Sequence, residues 1–201
     1  AIKYLGLDLI YFSIPCNETD FEIVIRSLSK INCKGINLTI PFKEKVLSYC
    51  SEISPLAEQI KAVNTLKPNG KGGWHGINTD VEGFNYPLDN LNLADKKAII
   101  LGSGGASRSA IQGLINLKMS EIVIISRNQS SIDSLVNDFK NQYLLRGISF
   151  KNPNIFNLID SADLIVNTTP VGMINHTGTK KELPFGDNFW RSLNSKTVIY
   201  D

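Results

Sequence analysis

The stretch that decides the fold reads Ala98-Ile99-Ile100-Leu101-Gly102-Ser103-Gly104-Gly105-Ala106-Ser107-Arg108. Its apolar start predicts a buried strand, its glycines predict a tight turn, and the pattern that follows from residue 109 to 115 predicts a helix. A strand, turn and helix in this order can hold the pyrophosphate of a dinucleotide. Gly102 permits the turn, and Gly104 lets the backbone approach a phosphate without an intervening Cβ atom. The helix then directs its free N–H groups and the positive end of its dipole at the anion.

We therefore predict a cofactor site at this turn, formed by Gly102, Ser103, Gly104, Gly105 and Ala106. The match to the G-x-G-x-x-G pattern is imperfect, because a serine stands where the third glycine would be. The alternative is a β–α turn that needs glycines only for its own geometry. The order of strand, turn and helix favours the dinucleotide site.

Composition and charge narrow the class of protein. The 201 residues are 42% hydrophobic and 20% charged, as in ordinary globular proteins, and the net charge is only +2. We expect no nucleic-acid partner, because the chain has no run of basic residues, and no membrane partner, because no apolar stretch reaches the length of a span. Three cysteines without close spacing predict free thiols in a reducing cytoplasm, and two histidines without a Cys/His cluster predict no metal site.

Strands and helices alternate along the chain, which predicts an α/β protein of two units. The first unit, residues 1–90, is predicted to have strands at 9–15, 35–40, 62–66 and 74–78, the last two forming a hairpin, and helices at 20–31, from 41, and at 54–60. The second unit, residues 95–201, is predicted to be a Rossmann-like, doubly wound parallel sheet with strands at 98–101, 122–126, 164–167 and 198–200 and helices at 106–117, 130–143 and 155–161. The chain starts with Ala1 rather than methionine and ends directly after a strand, so we expect both units to be truncated.

The end of the second strand of the second unit bears on the choice of dinucleotide. NAD-binding units carry an Asp or Glu about 20 residues past the glycine turn, which binds the ribose 2′-hydroxyl. Here the strand ends in Ser126-Arg127-Asn128, without a carboxylate, and the guanidinium of Arg127 would instead pair with a 2′-phosphate. The sequence therefore predicts NADP as the cofactor. The alternative is that Arg127 is a surface residue without a role.

A second group of polar residues lies in the first unit. In the segment G-I-N-L-T-I-P-F-K, Asn37 and Thr39 alternate with apolar residues and so share one face of the predicted strand. Lys43 follows at the start of a predicted helix, where a cation is unfavourable beside the positive dipole end, and this placement hints at function. Asn64 in A-V-N-T and Asp80 in N-T-D each follow a further apolar stretch. Such a set suits a polyhydroxylated small molecule; taken singly, a surface lysine and turn or cap asparagines are the alternatives.

Together these motifs resemble one family. N-L-T-I-P-F-K, A-V-N-T, N-T-D and G-S-G-G-A-S-R occur in the order and with the spacing of the shikimate dehydrogenase family, and the later N-T-T-P-V-G-M fits the same pattern. The resemblance covers most of the chain and implies an NADP-dependent oxidoreductase that reduces 3-dehydroshikimate to shikimate in aromatic amino-acid biosynthesis. It implies Lys43 and Asp80 as the catalytic pair, and Thr39, Asn64, Asp80 and, nearby, Asn37 as substrate contacts.

One departure from the family pattern concerns the cofactor site. Where the family has N-R-T-x-x-R, this chain has S-R-N-Q-S-S, so that Ser131 replaces the second arginine. We assign Ser126, Arg127, Asn128 and Ser131 to the cofactor site. The absence of the second arginine predicts weaker binding of the 2′-phosphate.

Two other functions stay open on the sequence. One is a quinate/shikimate dehydrogenase with a relaxed choice between NAD and NADP. The other is a non-catalytic dinucleotide-sensing module, against which the intact Lys43 and Asp80 argue, since a sensor need not keep a proton-transfer pair. The expected partner is a small-molecule substrate, and the expected assembly is a monomer or a homodimer.

Overall fold

The chain forms two β-sheets, one from each half, and the structure, a computed structural model, describes residues 2–172 and 186–201. The described strands are β1 (Ile36–Asn37), β2 (Glu52–Ile53), β3 (Thr65–Pro68), β4 (Trp74–Ile77), β5 (Lys97–Leu101), β6 (Glu121–Ser126), β7 (Arg146–Ser149), β8 (Leu164–Asn167) and β9 (Val198–Tyr200). The described helices are α1 (Phe21–Leu28), α2 (Phe42–Lys45), α3 (Pro55–Ile60), α4 (Asp80–Asn85), α5 (Gly105–Asn116), α6 (Gln129–Phe139), α7 (Ile155–Asp160) and α8 (Asp187–Arg191), and a 3-10 segment, Val46–Tyr49, follows α2 directly. The predicted α/β class is confirmed.

The sheet of the second half consists of strongly apolar strands because both of its faces are covered. Its strands run parallel in the order β7-β6-β5-β8-β9. Along β5, Ala98 and Ile100 belong to one apolar core while Ile99 and Leu101 belong to another, and all four are buried. The predicted Rossmann-like sheet is therefore confirmed, and β7 is an additional strand that the sequence pattern did not predict.

The strand order places the glycine turn at a crevice. Strand β5 lies between β6 and β8, so the chain leaves it towards one side of the sheet and later returns on the other. In doubly wound sheets a crevice opens beyond the carboxyl ends of the strands where the order reverses in this way. The turn at residues 102–105 follows β5 at this edge.

The sheet of the first half is mixed, in the order β1-β3-β4-β2. The predicted hairpin is confirmed, since β3 and β4 pair antiparallel with Pro68 opposite Trp74. Strand β2 was not predicted and pairs with β4 in parallel. The helices cover this sheet with apolar side chains, and Phe21, Ile25 and Phe42 are buried in one core with Trp74.

The two halves share an apolar core through the helices between the sheets. Ile60 at the end of α3 and Val81 in α4 belong to the same buried cluster as Ile111 and Leu114 of α5. Because α5 begins directly after the glycine turn, this packing holds the first half of the chain against that turn. The division into units 1–90 and 95–201 stays a prediction.

The predicted strand at residues 9–15 is wrong. These residues adopt no regular secondary structure, and Ile10, Tyr11 and Phe12 are 87%, 74% and 68% exposed. Aromatic and β-branched residues favour a strand only where a neighbour accepts their backbone hydrogen bonds, and no strand of the described residues pairs with this segment. The strand predicted at 35–40 is shorter for the same reason, since only Ile36–Asn37 pairs with β3.

The helices differ from prediction mainly at their ends. Helix α1 ends at Leu28 and α6 at Phe139, both earlier than predicted, while α4 and α8 were not predicted at all. Helix α4 is too short to show a clear apolar period, which is the signal that sequence analysis uses. No helix within the described ranges is long and apolar enough to cross a membrane.

Candidate active site

The first residue of the glycine turn has a backbone conformation that only glycine readily adopts. Gly102 has a φ of +118°, and a Cβ atom built on it would lie 2.5 Å from Oγ1 of Thr168. That hydroxyl donates to the carbonyl of Leu101 at 2.7 Å, which joins the ends of β5 and β8. A Cβ atom on Gly104, by contrast, would meet no protein atom within 4 Å. The chain itself does not require glycine at position 104, which fits a ligand that approaches the backbone there.

A cleft of about 540 Å³ opens beside this turn. Its lining includes Lys43 and Glu44 from the first half of the chain and residues at the ends of β6 and β8. The glycine turn also lines the cleft and leads into α5, which has 12 residues and no acidic residue in its first turn. The N-terminus of α5 therefore offers free N–H groups and a positive dipole end to an anion in the cleft.

The cofactor residues predicted after β6 fall into two groups. Ser126 and Arg127 line the cleft, and the Ser103 hydroxyl donates to that of Ser126 at 2.9 Å. Asn128 and Ser131 do not line it, because Asn128 caps α6 by accepting from the backbone N–H of Ser131 at 3.3 Å. Arg127 is exposed and forms no ion pair within the described residues, so its charge is available to a ligand.

The structure brings together the two residues that the family resemblance implies as a catalytic pair. Nζ of Lys43 lies 2.7 Å from Oδ2 of Asp80, although the two residues are 37 positions apart in the chain. The Lys43 side chain is only 16% exposed, and its backbone carbonyl accepts from the N–H of Val63 at 2.8 Å. Asp80 begins α4, where the helix N-terminus stabilises a carboxylate. The ion pair therefore holds Nζ in a defined place at the edge of the cleft.

Asn64 fixes the other oxygen of the Asp80 carboxylate. Its amide nitrogen donates to Oδ1 of Asp80 at 2.6 Å and to Oγ1 of Thr79 at 3.0 Å. Its amide oxygen accepts from the N–H of Thr79 and from the hydroxyl of Thr65, both at 3.0 Å. Asn64 is buried, and these bonds make it a residue that positions Asp80. The substrate contact predicted for Asn64 stays a prediction.

Sequence reasoning missed Asn78, which ties the start of α4 to α5. Its amide oxygen accepts from the N–H groups of Asp80 at 3.0 Å and Val81 at 3.3 Å. Its amide nitrogen donates to the carbonyl of Ala62 at 3.0 Å and to the hydroxyl of Ser109 at 3.1 Å. An asparagine that bonds to the backbone two residues on is typical of a turn that begins a helix, and this signal was available in the sequence.

Asn37 and Thr39 lie farther from the ion pair. Asn37, on β1, donates to the Thr65 hydroxyl at 3.0 Å. Because that hydroxyl in turn donates to Asn64, Thr65 links Asn37 to the hydrogen bonds around Asp80. Thr39 is exposed beyond the end of β1, so the two polar side chains do not share the face of one strand as predicted. Their roles as substrate contacts stay predictions.

The loop after β8 supplies residues for which no role was predicted. Thr168 and Thr169 line the cleft, and the hydroxyls of Ser107 and Thr168 lie 2.8 Å apart. The carboxyl ends of parallel strands meet at one edge of a sheet, and this rule would have placed both threonines there. Met173, which completes the sequence motif of this loop, lies outside the described residues.

The arrangement of histidine, cysteine and carboxylate side chains bears on metal binding and on nucleophilic chemistry. Residues 2–172 and 186–201 contain no group of three or more His, Cys, Asp or Glu side chains that could hold a metal ion. Cys16, Cys33 and Cys50 are free. Burial raises the pKa of the Cys50 thiol to about 11, so this thiol, which packs partly buried against the core of the first half, is protonated at neutral pH and unsuited to act as a nucleophile.

We expect Gly102→Ala to destabilise the protein by about 1–3 kcal/mol, because alanine is strained at positive φ and its Cβ atom would collide with Thr168. Gly104→Ala is the matched control, since it meets no protein atom and should change the free energy of unfolding by less than about 0.5 kcal/mol. Denaturant unfolding of both variants measures the difference. Equal stability of the two variants would contradict this account of the turn.

Two family models match the chain. The model described as "Shikimate dehydrogenase substrate binding domain" matches residues 1–66, and the one described as "Shikimate / quinate 5-dehydrogenase" matches residues 87–177. A shikimate dehydrogenase (NADP(+)) of Prochlorococcus marinus (strain MIT 9215) is 60% identical over 201 residues, which is 100% of this chain and 70% of that protein.

Solved structures show the same fold at lower identity. Shikimate dehydrogenase from Aquifex aeolicus superposes with a TM-score of 0.83 at 28% identity, over 98% of this chain and 69% of that one. Shikimate 5-dehydrogenase from Thermus thermophilus, in complex with NADP(H) and shikimate, superposes with a TM-score of 0.76 at 27% identity, over 99% of this chain and 69% of that one.

Proposed function

The chain belongs to the shikimate dehydrogenase family, and on that premise we propose that it catalyses the NADP-dependent reduction of 3-dehydroshikimate to shikimate. One observation above all supports this function: the Lys43–Asp80 ion pair lies at the edge of the cleft that the glycine turn borders. A proton donor thus lies beside a dinucleotide site, as the reduction of a ketone requires.

NADPH, when bound, supplies the hydride that the ketone carbon accepts. The oxygen of that ketone gains negative charge as the hydride arrives, and Lys43 donates a proton to it from Nζ. Asp80 holds the ammonium in position through Oδ2 while Asn64 holds Asp80 through Oδ1. In the reverse direction, neutral Lys43 accepts the proton from the substrate hydroxyl.

The cofactor is held at two places in this proposal. The backbone of residues 102–106 at the N-terminus of α5 would hold the pyrophosphate. Arg127 would pair with the 2′-phosphate, and both Arg127 and Ser126 line the cleft. Asn128 and Ser131 are proposed as further residues of the cofactor site, although they do not line the cleft.

The substrate hydroxyls are proposed to meet Asp80, Asn64, Thr39 and Asn37. These polar groups and Lys43 come from the first half of the chain, which is the proposed substrate unit at residues 1–90. The dinucleotide unit comprises residues 95–201. We further propose a monomer or homodimer in a reducing cytoplasm, which the three free cysteines support.

We expect the purified protein to oxidise NADPH when 3-dehydroshikimate is added, with a higher kcat/KM than for NADH. Initial rates measured with each reductant test this, and quinate with NADP⁺ tests the related activity. A protein that binds NADPH but neither reduces 3-dehydroshikimate with it nor oxidises quinate with NADP⁺ would be a dinucleotide sensor, and the proposal would fail.

A further inference from the structure

Arg108, three residues after the end of the glycine turn, is a buried arginine with several polar partners outside the proposed catalytic groups. Its side chain is only 7% exposed. Nη2 donates to Oδ2 of Asp138 at 2.8 Å, and Nη1 donates to the carbonyl of Ile60 at 3.3 Å. Nε lies 3.1 Å from Oε2 of Glu44. The guanidinium therefore contacts α2, the end of α3 and α6 from its place on α5.

The contact with Glu44 links Arg108 to the proposed proton donor. Glu44 is the neighbour of Lys43 in α2, a helix of only four residues. A second contact acts on the same helix, because a Cβ atom on Gly105 would lie 2.9 Å from Cβ of Lys43. The stem of Lys43 thus packs directly against the first residue of α5, and the Glu44–Arg108 ion pair holds α2 against the next turn of that helix.

The surrounding charges anchor the guanidinium. Burial acts to raise the pKa of the Asp138 carboxyl, but hydrogen bonds from Lys61 and Arg108 outweigh it and hold that pKa below its usual value. Asp138 is therefore ionised at neutral pH and fixes one edge of Arg108. Nε, on the other edge, is buried and has no hydrogen-bond partner, so Glu44 is its compensating charge within the described residues. An unbonded buried donor is costly, which makes loss of the Glu44 carboxylate consequential.

We infer that Arg108 is a positioning residue, which acts through Glu44 to hold Lys43 at the distance from the glycine turn that proton transfer needs. The inference rests on the proposed function, since it assigns a role relative to Lys43. Misplacement of a reacting group by about 1 Å can lower a rate up to about 100-fold, so the ion pair between this short helix and α5 is a sensitive point. Arginine suits this role better than lysine because its planar fork donates to Asp138 and Ile60 while Nε still lies 3.1 Å from Glu44.

The decisive variant is Glu44→Ala, because the Glu44 side chain is 45% exposed and its loss leaves the core intact. We expect it to lower kcat about tenfold with little change in KM for NADPH or 3-dehydroshikimate. The primary isotope effect with deuterated NADPH should rise as the chemical step becomes slower. Arg108→Met should lower kcat at least as much, and Arg108→Lys should recover part of the loss.

Two controls separate positioning from general damage. Lys45→Ala removes an exposed charge from the same helix and should keep kcat within about twofold of the parent. The double variant Glu44→Ala/Lys43→Ala should have the same kcat as Lys43→Ala alone, because Glu44 affects the rate only by positioning Lys43.

Several results would overturn the inference. One is parent-like kcat in Glu44→Ala while Lys43→Ala is inactive, which leaves the proposed function standing. Another is a raised KM for NADPH at unchanged kcat, which would mean that Glu44 contacts the cofactor directly. A third is a fold-loss of kcat in the Glu44→Ala/Arg108→Met double variant that equals the product of the losses in the two single variants. That result would show that the two residues act independently. Full activity of Lys43→Ala would instead refute the proposed function, and this inference with it.

Discussion

Replacing Lys43 by alanine is expected to lower kcat by about 10²- to 10⁴-fold, the usual loss when a general acid is removed. The ketone oxygen would then lack a proton donor as the hydride arrives. KM for 3-dehydroshikimate should change far less, because the hydroxyl contacts come from other residues. Steady-state rates of NADPH oxidation measure both constants.

Lys43→Arg is the matched control for the charge of this residue. Arginine can still pair with Asp80, but it keeps its proton at every accessible pH and cannot serve as the acid. We expect it to remain about as inactive as the alanine variant. Turnover of Lys43→Ala within about threefold of the parent would show that Lys43 is not the proton donor.

The second large effect is expected at Arg127. Arg127→Asp should lower kcat/KM for NADPH by roughly ten- to a hundredfold, since a charge-assisted hydrogen bond contributes about 1.5–3 kcal/mol. The rate with NADH should be preserved, because a carboxylate repels a 2′-phosphate but can accept from a 2′-hydroxyl. The ratio of kcat/KM for the two reductants is the measurement.

Arg146 offers a control for the loss of an exposed arginine elsewhere on the sheet. It lies on β7, 56% exposed and 3.7 Å from Glu121, and it does not line the cleft. Arg127→Ala should weaken the preference for NADPH while Arg146→Ala leaves it unchanged. An unaltered NADPH/NADH ratio in Arg127→Asp would move the 2′-phosphate site to Ser126, Asn128 or another residue.

Local sequence was sufficient for β5, the glycine turn and the start of α5 in the second half of the chain. Residues 98–101 are apolar throughout because both faces of β5 are covered. Such a continuous apolar run predicts a buried strand even when the neighbouring strands are unknown. The glycine turn is equally local, since the positive φ of Gly102 is a requirement of the residue itself. These two features predicted the sheet, the cofactor edge and the position of α5.

Local sequence failed where an element depends on a partner. Residues 9–15 have the composition of a strand but no strand of the described residues pairs with them, and β7 has a weak pattern but pairs along β6. Strand propensity mostly measures how well a residue fits a pleated surface with neighbours on it. It therefore misjudges both an apolar segment without a neighbour and a polar segment that has one.

The candidate site shows the same division. The residue types were visible in the sequence, and a family resemblance paired Lys43 with Asp80, but their 2.7 Å ion pair depends on how α2 and α4 pack around the first sheet. The contacts of Arg108 with Glu44, Ile60 and Asp138 left no local signal at all.

What the sequence by itself determined is the set of local conformations: apolar strands, a glycine turn and a helix that begins directly after it. Only the tertiary structure decided which side chains meet, because contacts between residues far apart in the chain form when helices and sheets bury their apolar faces together. Lys43 lies at the cleft because its neighbour Phe42 is buried in the core of the first half and because Asp80 pairs with Nζ.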